Sequence, residues 1–158
     1  MSFATIRRTS LVALAVFSAS SAHALTLQTN ALVADSFQAF SADAMDAFDL
    51  FGITVSALGN ATAVAGTTDT FALPITSVTA GWDLKIKSGE AKGSALEFSR
   101  QVNGVKKALT LANFTINYEA GQVLADATAK GGVTTPQAVV YNYTVEKALT
   151  LKYRFPLS

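Results

Sequence analysis

The sequence predicts a mainly β protein: an antiparallel β-sandwich or open β-sheet layer with one short amphipathic helix, following a cleaved signal peptide. Three observations predict it. From Ser94 to Thr128, apolar and polar residues alternate through three successive runs joined by turn sequences, the period of half-buried strands. Between Ser41 and Phe51 the apolar residues instead recur every three or four positions, the period of a helix. Ahead of both, residues 1–24 have the three-part form of an export signal.

In that leader, Arg7 and Arg8 supply the positive start, Leu11 to Phe17 a short apolar run, and Ala22-His23-Ala24 the small-x-small triplet. Cleavage is expected after Ala24, with Leu25 the first mature residue. The run is too short to serve as a spanning anchor. Residues 25–158 are then expected to form a single β-rich domain, long enough for a real core. The chain stops just after Phe155-Pro-Leu157 with no polar tail, which leaves a C-terminally truncated fragment open.

Leu25 to Leu27 reads as a short first strand. Val33, Phe37, Phe40, Ala44, Phe48 and Phe51 give a helical period over Ala31 to Phe51. It is strongest from Ser41, a suitable N-cap, to Phe51, with Gly52 as the C′ residue. Phe40, Phe48 and Phe51 are the expected packing residues. Asp43, Asp46 and Asp49 lie off this stripe, spread around the helix as a solvated face rather than converged as metal ligands. Ile53 to Leu58 alternates as a strand, Ala61 to Ala65 is a candidate pairing segment, and Phe71 to Ile75 is a further strand. Pro74 lacks an N–H, so that strand is expected at an edge or with a bulge. Trp82 reads as a core or rim packer.

The central block begins with Leu96 and Phe98 alternating against Glu97 and Ser99. Asn103-Gly104 follows, a pair that tolerates the positive φ of a type I′ hairpin turn. The next strand climbs through Leu109 and Leu111, then changes phase to Phe114, Ile116 and Tyr118. Such a change requires a bulge near Ala112-Asn113. Glu119 to Gln122 turns the chain, and Val123 to Thr128 returns. Lys130 to Gln137 reads as a flexible loop. Val139, Tyr141, Tyr143 and Val145 are expected on one strand face. Leu149, Leu151, Tyr153, Phe155 and Leu157 are expected on another. Lys147 to Leu151 repeats the phrase Lys107 to Leu111, but the match fails beyond Leu111 and is no solenoid repeat.

Composition excludes more than it selects. There is no cysteine, hence no disulfide framework and no lipid-attachment thiol. The only histidine, His23, leaves with the signal, so no Ser-His-Asp, Cys-His or His/Cys metal site can be built. No phosphate loop or dinucleotide fingerprint is present. Glu97 and Glu119 are the acids able to approach each other across the central strands, and Ser94 is a conceivable Ser-Lys nucleophile that nothing marks. No catalytic residue and no cofactor is therefore assigned. Asn60, Asn113 and Asn142 open glycosylation-type triplets of the kind Thr-rich chains produce by chance. Without Arg7 and Arg8 the basic count falls from 12 to 10 against 11 acids, a net of −1. From Leu25 to Leu84 there are six aspartates and no Lys or Arg; all ten basic residues follow. Either complementary packing of two halves or a basic face for an acidic polymer or lipid would account for this; the first is the expectation, and no nucleic-acid partner is expected.

A short helix ending in Phe51-Gly-Ile-Thr-Val-Ser-Ala-Leu58, then Phe71-Ala-Leu-Pro-Ile-Thr76, Ile86-Lys-Ser-Gly89, Gly93-Ser-Ala-Leu-Glu-Phe98 and Leu109-Thr-Leu-Ala-Asn-Phe-Thr-Ile116 follow in order. This succession resembles the secreted bacterial β-domains of HtaA type. The resemblance implies a helix followed by a β-sandwich or open sheet, and, in some members, haem held by a tyrosine supported by a histidine. No matching tyrosine motif is found here. Three functions remain. The first is a secreted, non-catalytic β-domain for surface assembly or protein interaction, whose partners are other extracytoplasmic proteins or further copies of itself. The second is an HtaA-like small-ligand (haem) carrier using Tyr118, Tyr141 and Tyr143. The third is a small outer-membrane β-barrel. All three place the chain in the periplasm, at the cell surface or outside the cell.

Overall fold

The structure, a computed structural model, describes residues 25–28, 34–145 and 149. The expected signal with Ala24, the phrase at Lys147, and the apolar alternation beyond Leu149 lie outside the described residues. The strands are β1 (Leu25–Gln28), β2 (Asp35–Ala39), β3 (Thr54–Gly59), β4 (Thr62–Ala63), β5 (Thr70–Pro74), β6 (Ser77–Ala80), β7 (Ile86–Val102), β8 (Val105–Asn117), β9 (Gln122–Ala129) and β10 (Thr134–Asn142). The helix α1 is Ala42–Phe51. All strand pairs are antiparallel, in two open sheets. The larger runs β1-β6-β7-β8-β9-β10, with β3 also on β7; the smaller runs β2-β5-β4. Among the described residues no barrel closes. The alternation buries one face of each sheet against the other instead of presenting an apolar outer band.

β7 is the spine. Its 17 residues carry β8 along one side. On the other side, Ile86 to Glu90 pair with β6, and Ser94 to Ser99 with β3. The predicted hairpin at Asn103-Gly104 joins β7 to β8, with φ of 51° and 76°, as a type I′ turn requires. The predicted bulge lies where expected, at Asn113, φ 51°. It is one of three in line across the sheet. Register shifts fall between Ala91 and Ala95 on β7, Ala112 and Thr115 on β8, and Thr135 and Ala138 on β10.

The small sheet lies on the inner face of the large one. Phe71 and Leu73 of β5 join Leu96, Leu111, Phe114, Ile116, Val123 and Ala125 in a single buried cluster. Burying Phe114, at 1% exposure, contributes on the order of 2–3 kcal/mol. Helix α1 begins at the Ser41 cap, whose side chain accepts from the Ala44 N–H, and ends at left-handed Gly52. Phe48 sets its edge against Phe40 and Phe98, with ring centroids 5.4 and 5.9 Å apart.

Several expectations are corrected. Asp35–Ala39 is a strand and not a first helical turn: alternate residues Ser36 and Gln38 turn inward while Phe37 stands 64% exposed. Phe51 is 59% exposed and packs on little, and Trp82, 80% exposed, is not a core residue. β5 is the central strand of its sheet, yet Pro74 is tolerated there. Its missing N–H lies on the β4 side, and β4 ends opposite Ala72. Thr134 to Gln137 belongs to β10 rather than to a loop, with Pro136-Gln137 accommodated by the bulge. A second register shift between Val139 and Tyr141 breaks the expected common face. Val140 and Tyr143 pack on the core while Val139 is exposed.

Candidate functional site

The three tyrosines singled out in the sequence converge. Tyr118 follows the end of β8, fixed by its N–H donating to the Lys87 carbonyl at 2.8 Å. Tyr143 follows β10, its N–H donating to the Gly121 carbonyl at 2.8 Å. A Cβ at Gly121 would stand 2.6 Å from the Tyr143 carbonyl oxygen, and its φ is 62°, so this close approach demands glycine. The Tyr143 hydroxyl donates to the Asn117 carbonyl at 3.3 Å. Its ring meets Tyr118 edge to face, with centroids 6.3 Å apart. Tyr141 is brought alongside by its pairing with Val123.

With Ile116 and Val123 as floor, these rings form one wall of a cleft of about 250 Å³, whose opposite wall is Ser36, Phe37 and Gln38 of β2. Burial raises the Tyr118, Tyr141 and Tyr143 hydroxyls above the usual phenol value; the neighbouring Tyr118 and Tyr141 add to the rise at Tyr143. Among the described residues no Lys, Arg or His lines the cleft. The walls are thus neutral phenols and ring faces, suited to apolar and hydrogen-bonding contact and ill suited to metal ligation as phenolate. The Gln38 amide nitrogen is buried with no hydrogen-bond partner among the described residues.

A second feature went unread in the sequence. At the aligned bulges Asn113 Oδ1 accepts from the Gly93 N–H (3.0 Å), and Asn113 Nδ2 donates to Asp126 Oδ2 (2.9 Å). Asp126 Oδ1 accepts from both the backbone N–H and the side-chain amide of Gln137, at 2.9 and 3.1 Å. The Asn113 side chain, then Gln137, hold the Asp126 carboxyl below its ordinary pKa. A depression of about 510 Å³ opens here between Glu90, Lys92, Thr115 and these three residues. Its amides and carboxylate already bond one another, so it is a seam that holds the bent sheet. The phase change marked Asn113; nothing local marked Asp126 or Gln137, whose roles come from cross-strand register.

The other sequence candidates stay apart. Glu97 pairs with Lys106 and Glu119 with Lys87, at separate places on the long sheet. Ser94 is fully buried and its hydroxyl has no partner among the described residues, while Lys92 is ion-paired to Glu90 at 3.0 Å. Asp43, Asp46 and Asp49 are exposed around α1, and among the described residues no acidic group converges on a metal position. Comparison of the chain with protein-family models, with curated proteins and with solved structures gives no match.

Proposed function

We propose that the chain is an exported, non-catalytic β-domain that acts by protein interaction in surface assembly. The observation that carries this reading is the tyrosine cleft. It is bounded on one side by a sheet edge, walled by neutral aromatic groups, and smaller than the roughly 300–1,000 Å³ of pockets that enclose drug-sized ligands. A space of that size takes side chains presented by a partner. Tyrosine walls of this kind recur where one end of the ring is apolar and the other wet. The resemblance to HtaA-type modules belongs to the same proposal for the fold, but not for the haem.

The test is the state of the exported chain. In a detergent-free extract it is expected to elute from gel filtration well ahead of the same chain purified alone, and its N-terminus is expected at Leu25. Elution as a monomer carrying a bound small molecule by native mass spectrometry overturns the interaction reading. That outcome favours the carrier, the second reading, for which the convergence of Tyr118, Tyr141 and Tyr143 is the specific support.

A further inference from the structure

The cleft has a feature that rings alone do not explain: it takes in Ser36, Phe37 and Gln38, both faces of β2, and no residue of β5. It therefore lies along the edge of β2 that faces away from β5. The hydrogen-bond parity of that edge follows from the pairing. The Phe40 N–H donates to the Asp69 carbonyl and the Ile75 N–H to the Ala34 carbonyl, with Ser36 opposite Leu73 and Gln38 opposite Phe71. In an antiparallel pair, bonded and non-bonded positions alternate. Even-numbered residues 34 to 40 thus direct their N–H and C=O groups to β5. Asp35, Phe37 and Ala39 direct theirs to the cleft side. Among the described residues no strand pairs with that edge.

We propose that β2 and the tyrosine wall form a strand-addition site that takes an extended peptide of a partner protein, apolar at alternate positions and Lys or Arg between them. This rests on the interaction reading and names its chemistry. The partner's backbone bonds the outward groups of Asp35, Phe37 and Ala39, the mode in which main-chain bonds give affinity and alternate side chains give specificity. Its apolar side chains turn to Ile116, Tyr118, Tyr141 and Tyr143, and the Gln38 amide offers one further donor. Its basic side chains fall on the outer face beside exposed Asp35, in the half of the chain that has six aspartates and no Lys or Arg. Opposite charges on adjacent strands are favourable.

The probe is a fluorescein-labelled heptapeptide, Lys-Leu-Thr-Phe-Lys-Leu-Thr, titrated into residues 25–158. Two N-methylated forms, on odd and on even positions, block alternate backbone donors. Saturable binding that one N-methyl set abolishes and the other spares is the expected result. Glu in place of both Lys is expected to weaken binding about tenfold, the scale of one lost charge-assisted contact. Phe37→Pro removes an N–H that faces the cleft and none that bonds β5, and is expected to abolish binding with the unfolding midpoint little changed. Phe37→Ala keeps the N–H and is expected to retain binding. Binding that survives both N-methyl sets, or no binding at all, overturns strand addition, while the elution test above still decides the interaction reading separately. A dimer of residues 25–158 that Phe37→Pro dissolves overturns the separate partner in favour of a second copy.

Discussion

At Gly59, Asn113 and Asp126 single residues set the course of the whole sheet. A Cβ at Gly59 would stand 2.1 Å from the Gly93 carbonyl oxygen, and φ there is 63°. At Gly104 φ is also positive, but nothing lies within 4 Å. Gly59→Ala therefore suffers both strain and collision and is expected to cost roughly 3 kcal/mol or more; Gly104→Val suffers the strain of positive φ, about 1 kcal/mol or more. Urea denaturation of the two variants gives the comparison; a smaller loss at Gly59 would contradict the close approach of Gly59 in β3 to Gly93 in β7. Asp126 carries a pH dependence. Its folded pKa lies below its unfolded value because Asn113 and Gln137 donate to the carboxylate. Its contribution is therefore present above about pH 4 and lost as pH falls through the folded pKa. Asp126→Asn is expected to unfold at lower temperature than wild type at pH 7, with the difference closing in acid. A difference that persists unchanged to pH 2 would count against the carboxylate as the bonded group.

At the scale of elements, the helix shows what sequence can and cannot disclose. Ser41 and Gly52 mark its ends by local chemistry, and both caps are found. The apolar period ran on upstream through Phe37, but β2 forms there because five residues of β5 are available to pair with it. Tertiary pairing overrides a local period, and no local residue announces it. The same holds for the cleft. The tyrosines were legible as candidates, yet their convergence depends on the β10 register shift and on Gly121, and the β2 wall was hidden inside the misread helix. The hairpin and the β8 bulge were legible because turn residues and phase changes are local facts. On the helix itself no residue is fully buried, so its attachment rests on few contacts. Phe48→Ala removes edge-to-face contacts with Phe40 and Phe98 and is expected to cost about 2 kcal/mol. Phe51→Ala, at an exposed position, should stay within about 0.5 kcal/mol. Equal losses in thermal unfolding would mean that α1 is docked through a different face.

For the whole molecule, the question is whether the tyrosine cleft can carry haem. The cleft that gathers its tyrosines is about 250 Å³, below the roughly 300–1,000 Å³ of pockets for drug-sized ligands, so it lacks room for a macrocycle that large. Burial raises all three hydroxyls further above the usual phenol value, whereas tyrosine ligates ferric iron as phenolate. A nearby cation would reverse that shift, but among the described residues none lines the cleft, and Arg100 sits elsewhere, in a hollow with Lys107 and Leu109. Haemin titrated into residues 25–158 is accordingly expected to give a shallow, non-saturating Soret change, with no affinity below about 1 μM. Tyr118→Phe, Tyr141→Phe and Tyr143→Phe should each leave that curve unaltered. A sharp one-to-one endpoint abolished by one of these substitutions would make the cleft an iron site, and would require a cation beside that tyrosine.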